Sequence, residues 1–205
     1  MAEAAKTSNP FRLASLAWDV SEELDLAIRL DPDNVDARVD LVRFYTMTPR
    51  IAGGSDSKAR SEIKEIAKRD PSLGHFAKGY MAYRDKQFGV ARKEFNEALS
   101  SAKSSQTKIL VWTWLGWLSQ ESQQYATAFD VWSKMIDLDP TQLQALYEIG
   151  RTSSFCGCEL ERGEAALNRY LSSKRSPEMP SVEDAKKVLA EIKASANPRP
   201  APSQH

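Results

Sequence analysis

Apolar residues recur at helical spacing along most of the chain, and short polar turns separate one apolar-striped segment from the next. The pattern predicts an all-α protein. The expected helices cover residues 11–30, 35–47, 56–69, 73–85, 88–102, 106–121, 125–138, 142–155, 160–173 and 181–195. The helices between residues 35 and 173 form four consecutive pairs, and one single helix precedes and one follows them. Ser181 is the expected N-cap of the last helix, with Asp184 three residues further on.

Asp-Pro pairs mark an internal repeat, because they recur where one helix should end and the next begin. They lie at residues 31–32, 70–71 and 139–140. The second and third prolines are 69 residues apart, close to two periods of 34, whereas the first and second are 39 apart, which is one period plus five. The spacing predicts stacked helix pairs with one lengthened loop.

The clearest copy of the 34-residue pattern runs from about residue 109 to residue 142. It has Trp112 and Gly116 in the first helix, then Ala128, Trp132 and Pro140 in and after the second. Small residues such as Gly116 and Ala128 let two helices cross closely, and Trp132 is large enough to fill the space between repeats. These residues match the tetratricopeptide consensus of W-x2-L-G, then A-x3-F, then proline.

From about Phe11 to Leu171 the chain resembles a group of bacterial tetratricopeptide repeat proteins of largely unassigned function. The shared features are the segment LDPDNVDAR at residues 30–38, an extended Gly-Gly-Ser loop at residues 51–55 and the segment YEIGR at residues 147–151. The resemblance implies a right-handed superhelical solenoid of about four full helix pairs plus flanking single helices. Members are often exported, with a leader and more repeats ahead of this part. The resemblance therefore implies a soluble, exported or periplasmic protein whose leader is absent here, with a cytoplasmic location as the alternative.

Composition divides the chain into three parts. Residues 1–10 are expected to be a disordered N-terminus, and residues 11–195 a tetratricopeptide-like helical repeat domain. Residues 196–205 are rich in proline and are expected to form a disordered tail.

Charge and hydropathy exclude two classes of partner. Lysine plus arginine and aspartate plus glutamate number 28 each, and the basic residues are scattered among acidic ones rather than gathered in a stripe. The sequence therefore predicts no nucleic-acid binding. No apolar run reaches the roughly 18 residues that a membrane-spanning helix needs, so no membrane span is expected.

Three features of possible chemical interest have structural explanations. Residues 53–58 contain two glycines and a lysine, but they lie between two helices and lack the spacing of a phosphate-binding loop, so the glycines are expected to turn the loop. Cys156-Gly-Cys158 lacks the C-x-x-C spacing of redox motifs and the four ligands of a zinc site. His75 is the one histidine outside the predicted tail, and no nucleophile is evident beside it. The sequence predicts no catalysis, cofactor or metal.

The first helix of each pair is expected to line an inner groove, as in other stacked repeats. The register of the small residues predicts these groove residues: Arg43, Phe76, Tyr80, Tyr83, Arg84, Thr113, Trp117, Gln120, Tyr147 and Arg151. Aromatic and arginine side chains are common at binding hot spots. Trp117 is the foremost candidate, because the helix around it is apolar on nearly all sides. Some tetratricopeptide proteins grip a C-terminal carboxylate with a clamp of lysine and asparagine side chains in the groove. The corresponding positions of this chain are Phe76, Tyr80, Thr113 and Trp117, so a clamp of that kind is not expected.

These observations predict a protein-protein interaction scaffold that binds a peptide or helix in its groove. The expected partner segment has apolar or aromatic anchors, with acidic residues opposite Arg43, Arg84 and Arg151. An alternative is a structural segment of a longer solenoid that self-associates through its ends. A remote alternative is a thiol redox or metal role for Cys156 and Cys158.

Overall fold

The structure, a computed structural model, describes residues 10–196. Its helices are α1 (Pro10–Leu30), α2 (Val35–Met47), α3 (Asp56–Arg69), α4 (Pro71–Arg84), α5 (Phe88–Ser101), α6 (Ser105–Glu121), α7 (Tyr125–Leu138), α8 (Leu143–Cys156), α9 (Leu160–Ser172) and α10 (Val182–Ala196). No strand occurs within residues 10–196. The predicted all-α fold of successive helix pairs is confirmed. The disorder predictions cover residues 1–10 and 196–205; Pro10 and Ala196 are helical, and the other residues of both segments lie outside the described residues.

The chain forms two compact units, Met1–Val111 and Trp112–His205, whose boundary falls within α6. In the first unit α1 packs against α2, α2 pairs with α3, and α4 pairs with α5 while also contacting α2 and α3. In the second unit α8 packs against α7 and α9, and α10 packs against both α8 and α9. A single repeat domain over residues 11–195 stays a prediction.

Local sequence signals set several helix ends. The Asp70 side chain accepts the Leu73 backbone N–H at 2.9 Å, and Pro71 occupies the first helical position, where its missing N–H costs no hydrogen bond. Helix α4 therefore begins at Pro71, two residues before its predicted start. Ser181 caps α10 as predicted, because its hydroxyl accepts the Asp184 N–H at 3.1 Å and the Asp184 carboxylate accepts the Ser181 N–H at 3.1 Å.

Glycines bring helices together at the predicted positions. A Cβ atom built on Gly116 would lie 2.2 Å from the ring of Trp132, which is fully buried, so α6 and α7 meet at a distance that no larger residue permits. The same relation joins Gly79 to Phe95 at 2.6 Å and Gly150 to Leu167 at 2.4 Å. The repeat register is thus set by contacts between a glycine and one large side chain of the next helix.

The lengthened loop between α2 and α3 turns at its two glycines. Gly53 has a φ of 103°, which glycine adopts without strain, and a Cβ atom on Gly54 would lie 1.8 Å from the carbonyl oxygen of Thr48. The Ser55 N–H donates to the Tyr45 carbonyl at 2.9 Å, and the Ser55 side chain caps α3. The glycines therefore serve the turn, as the sequence analysis expects.

Candidate partner-binding surface

The ten residues predicted to line a groove divide equally between the two units. The first unit holds Arg43, Phe76, Tyr80, Tyr83 and Arg84. The second holds Thr113, Trp117, Gln120, Tyr147 and Arg151. Each unit therefore has its own set of candidate residues.

Phe76 and Tyr80 belong to the core of the first unit. Phe76 is 0% exposed and Tyr80 is 3% exposed. The Phe76 ring lies 5.9 Å from the ring of Phe95 and 6.4 Å from that of Tyr80, measured between centroids. Burial also raises the pKa of the Tyr80 phenol. Helix α4 packs against three other helices, and both side chains are buried in the first unit, while partner contact at Phe76 and Tyr80 stays a prediction.

Arg84 is held by acidic groups of its own unit. Its Nη1 atom lies 2.6 Å from Oδ1 of Asp56 at the start of α3, and its Nη2 atom lies 2.7 Å from Oδ1 of Asp85. Nη1 also donates to the Thr46 carbonyl at 3.3 Å. These contacts tie the end of α4 to α2 and α3, so Arg84 has a structural role whether or not it also contacts a partner.

Arg43 and Tyr83 lie nearer the surface of the same unit. Arg43 is exposed and its Nη1 atom lies 3.3 Å from Oδ1 of Asp40. Tyr83 is half-buried, with its ring centroid 6.1 Å from that of Phe88. A partner contact at Arg43 or Tyr83 stays a prediction.

A buried carboxylate organises the second unit. Glu148 on α8 is 1% exposed. Its Oε1 atom accepts hydrogen bonds from Trp117 Nε1 at 3.0 Å, Gln144 Nε2 at 2.8 Å and Arg151 Nη1 at 3.0 Å. Its Oε2 atom accepts from Gln120 Nε2 at 3.0 Å and from Arg151 Nη1 at 3.1 Å. Glu148 is not among the predicted groove residues, yet three of those residues donate hydrogen bonds to its carboxylate.

Gln120 and Tyr147 are both buried in the second unit. Gln120 is 7% exposed, and its Nε2 atom also donates to the Thr152 hydroxyl at 2.9 Å. Tyr147 is 8% exposed, its ring centroid lies 5.4 Å from that of Tyr170, and burial raises the pKa of its phenol. Helices α9 and α10 pack against α8, and partner contact at Gln120 and Tyr147 stays a prediction. Thr113 is half-buried.

Trp117, Arg151 and Phe155 form a surface that we call the Arg151 surface. The Trp117 ring is half-buried and packs edge-on against Trp114, with centroids 5.0 Å apart. The Arg151 side chain is 34% exposed, and its guanidinium carbon lies 5.1 Å from the Phe155 ring centroid and 6.0 Å from that of Tyr147. Phe155 is 52% exposed. Sequence reasoning missed Phe155, although it lies one helical turn after Arg151.

An open cavity of about 240 Å³ adjoins this surface between α8 and α10. Its walls combine Arg151 and Phe155 with three charged residues of α10, which are Asp184, Lys187 and Glu191. The Ser154 hydroxyl donates to Glu191 at 2.7 Å across the same gap. The cavity offers apolar contact and charges of both signs beside Arg151.

Cys156 and Cys158 are joined by a disulfide bond in the structure. In the part of the chain that the structure describes, no three or more His, Cys, Asp or Glu side chains are grouped so that they could hold a metal ion. None of the helices between residues 10 and 196 combines the length and apolarity needed to cross a membrane.

Comparison with known proteins shows similarity at the level of structure alone. No family model and no curated protein matches the chain. The crystal structure of BtubC (BKLC) from P. vanneervenii is 13% identical, with 93% of this chain and 85% of that chain covered and a TM-score of 0.68. Two crystal structures of MamA are 14% and 15% identical, cover 86% and 93% of this chain and 86% and 98% of theirs, and have TM-scores of 0.47 and 0.48. The similarity to BtubC shows that this chain has a helical-repeat fold.

Proposed function

We propose that this chain is a non-catalytic protein-binding module, and that the second unit holds a segment of its partner on the Arg151 surface. The observation that carries the proposal is the Glu148 network. A buried carboxylate that fixes the side chains of Trp117 and Arg151 reduces the conformational entropy that these groups lose when a partner binds. An arginine held beside an exposed aromatic ring is also a frequent centre of protein interfaces.

The chemistry of the partner segment follows from what Arg151 still offers. Both hydrogen bonds from Arg151 to Glu148 use Nη1. Among the side chains that the structure describes, Nε and Nη2 of Arg151 have no hydrogen-bond acceptor, so they suit a carboxylate or a backbone carbonyl. Phe155 and the adjoining cavity suit an apolar side chain. We therefore expect a peptide or helix with an apolar anchor next to an acidic residue.

Repeat spacing in the second unit supports a tetratricopeptide-type module as part of this proposal. Gly116 and Gly150 lie 34 residues apart and each contacts a large side chain of the following helix. Gln123 and Gly157, in the turns after α6 and α8, are also 34 residues apart, and both have positive φ, at 56° and 62°. Equivalent glycines and equivalent turns at one interval are typical of a tandem helix-pair repeat.

Selection of peptides from a display library on the full chain tests the proposal. Affinities of the selected peptides are then measured by fluorescence anisotropy for wild type, Arg151→Gln and Phe155→Ala. We expect each substitution to weaken binding by about tenfold or more, since hot-spot residues contribute more than about 1 kcal/mol. Arg60→Gln and Leu138→Ala, at an exposed arginine of α3 and an exposed leucine of α7, are the matched controls and should change affinity less than about twofold.

Two results would contradict this assignment. One is the selection of peptides that bind wild type and the Arg151→Gln, Phe155→Ala double variant equally. The other is selection of peptides whose binding depends on Arg43 or Tyr83 of the first unit and not on Arg151. Circular dichroism and urea unfolding of each variant separate a loss of contact from a loss of fold.

The self-association hypothesis rests on the first helix. Along α1, Trp18 is 54% exposed, Leu26 is 48% exposed and Leu30 is 78% exposed. Exposed large apolar side chains on one helix favour contact with another protein surface. Multi-angle light scattering of wild type and of Trp18→Lys tests this hypothesis. A monomer at every concentration, for both proteins, argues against it.

The disulfide supports the exported location implied by the family resemblance. Disulfides persist in the periplasm and outside cells, and they are rare in the cytosol. Alkylation of cells with a thiol reagent, before lysis, distinguishes the two compartments. We expect Cys156 and Cys158 to be protected from the reagent until a reductant is added.

A further inference from the structure

The disulfide lies in the short turn that joins α8 to α9. Cys156 is the last residue of α8, and residues 157–159 form the turn. Gly157 and Glu159 both have left-handed backbone conformations, with φ of 62° and 50°. Cys156 is half-buried, whereas Cys158 is exposed. We propose that this disulfide is a thiol–disulfide exchange site whose substrate is a pair of thiols in another protein.

Two other turns of the same length close through backbone hydrogen bonds and contain no disulfide. The turns at residues 85–87 and 122–124 have the same three-residue length. In the first, Lys86 N–H donates to the Tyr83 carbonyl and Gln87 N–H to the Ala82 carbonyl, both at 2.9 Å. The turn after α6 has the same pair of hydrogen bonds, at 3.0 and 2.7 Å. A disulfide that closes so short a loop also removes little entropy from the unfolded chain. The loop entropy that this disulfide removes therefore contributes little to the stability of the fold.

The surroundings of the two sulfur atoms make Cys158 the point of attack. Cys158 lines an open cavity of about 460 Å³, together with Phe129 of α7 and Arg162 of α9. The Arg162 guanidinium carbon lies 5.1 Å from the centroid of the Phe129 ring, and Nη2 of Arg162 donates a hydrogen bond to the Ser133 hydroxyl. A thiolate that approaches Cys158 through this cavity meets an apolar wall and a positive charge, which favours its ionised form.

The charges of the cavity are partly balanced by its own acidic residues. Asp130 and Glu159 also line it. Asp130 is paired with Lys134 at 2.7 Å, one turn further along α7. Of the charged residues in the lining, Arg162 is the one whose charge attracts an incoming thiolate.

Cys156 is the better leaving group. Its Sγ atom accepts the backbone N–H of Cys158 at 3.2 Å, a contact that stabilises negative charge on that sulfur. Attack of a substrate thiolate on Cys158 Sγ forms a mixed disulfide and breaks the Cys156–Cys158 bond, whose electron pair leaves on Cys156 Sγ. The second thiolate of the substrate then attacks its own half of the mixed disulfide and releases Cys158 as a thiolate. Two electrons pass from the dithiol to the protein, solvent protonates the two cysteines, and the substrate leaves as a disulfide.

The first test equilibrates the full-length chain with glutathione buffers of defined ratio, followed by alkylation and mass spectrometry. We expect the disulfide to open in buffers of reduced and oxidised glutathione, as catalytic disulfides do and as stable structural ones do not. Persistence of the disulfide until dithiothreitol is added would overturn the proposal. A large fall of the thermal midpoint on reduction would also overturn it, because it would show a structural crosslink.

Single-cysteine variants identify the attacked sulfur. Each variant is incubated with oxidised glutathione, and the rate of adduct formation is measured. We expect Cys156→Ser, which keeps Cys158, to form the adduct about tenfold faster than Cys158→Ser does. Equal rates, or a faster Cys158→Ser, contradict the assignment of Cys158.

Oxidation of a model dithiol tests the activity itself. The probe is reduced, unfolded ribonuclease A, and the readout is the loss of its free thiols with one equivalent of wild type or of the Cys156→Ser, Cys158→Ser double variant. We expect oxidation by wild type alone, slowed about threefold by Arg162→Gln and unchanged by Arg169→Gln on the same helix. Equal thiol loss with the double variant overturns the proposal, provided that circular dichroism shows the same helix content for both proteins.

Discussion

Helices α4 and α8 have the same register in their respective units, because Gly79 and Gly150 each lie against a large side chain of the following helix. Two residues before the glycine, α4 has Ala77 and α8 has Glu148, and both are 1% exposed. The first unit thus buries a methyl group at the position where the second unit buries a carboxylate. A methyl group needs only apolar contact, whereas a carboxylate needs hydrogen-bond donors from several directions.

The residue after each glycine shows the consequence. Tyr80 is 3% exposed, whereas the Arg151 side chain is 34% exposed and is held by Glu148. The buried acid draws donors toward itself from α6 and α8, and one of these donors is an arginine that reaches the surface. The position of a residue relative to the glycine therefore decides whether its side chain is buried. The chemistry of the buried residue then decides which neighbouring side chains remain at the surface, where a partner could contact them.

Introducing the carboxylate of the second unit at the equivalent position of the first unit gives the largest expected effect on stability. Ala77→Glu places a carboxylate at a position that is 1% exposed and that a methyl group fills in the wild type. We expect the free energy of unfolding to fall by about 4 kcal/mol, measured by urea unfolding. Lys78→Glu, at the exposed neighbouring residue, is the control and should change stability by less than about 0.5 kcal/mol. A loss of similar size in both variants would mean that α4 responds to charge in general and not to burial.

Removing the acid from the second unit should cost somewhat less. Glu148→Ala removes the carboxylate that accepts from Trp117 Nε1 and one of the acceptors of Gln120 Nε2, and we expect a loss of about 3 kcal/mol in unfolding free energy. Glu148→Gln keeps the shape and one acceptor, so we expect about half that loss. If both variants unfold like wild type, the network does not stabilise the second unit and Arg151 is not held by it.

Helix positions could be predicted closely from sequence, because their signals are local. The periodicity located α3 and α7 with both ends as observed, and Asp70, Pro71 and Ser181 act through their immediate neighbours. The contacts of Gly116 with Trp132 were also predictable, since a glycine and a tryptophan at repeat spacing leave few other arrangements.

The candidate site was less predictable, because burial there depends on distant residues. Glutamate is usually a surface residue. Glu148 is buried because Trp117 and Gln120, about 30 residues earlier in the chain, donate hydrogen bonds to it. The signal was present in the register, which aligns Glu148 with Ala77. The burial of Phe76 was also not predictable from the sequence. An aromatic residue at a groove position is buried when a further helix covers it, and spacing along one helix does not report that cover.

Removing the hydrogen bond between Trp117 and Glu148 should have a smaller effect on stability than removing the carboxylate. Trp117→Phe keeps most of the ring and removes the N–H that Glu148 accepts at 3.0 Å. We expect a loss of about 1 kcal/mol in unfolding free energy, because one acceptor site loses a hydrogen bond to a charged group. In the Glu148→Gln background the same substitution should cost less, and the difference measures the coupling. Full additivity of the two substitutions contradicts a contact between these side chains.

The smallest expected effect concerns the arginine of the first unit. The hydrogen bond from Arg84 lowers the pKa of Asp56 below its ordinary value near 3.9. A carboxyl group whose pKa is lower in the folded than in the unfolded protein stabilises the fold above the unfolded value, and this contribution is lost as pH falls through the folded value.

A double-mutant cycle with Asp56→Asn and Arg84→Gln, measured by urea unfolding, isolates that contribution. We expect a small coupling energy at pH 7 that declines below about pH 4 and weakens in high salt, since both groups are partly exposed. The change with pH must come from Asp56, because Arg84 stays charged throughout this range. A coupling that is constant from pH 7 to pH 2 would show that the two residues interact through packing alone. The ion pair of Arg84 with the partly exposed Asp56 could then not be compared, as an electrostatic interaction, with the ion pair of Arg151 with the buried Glu148.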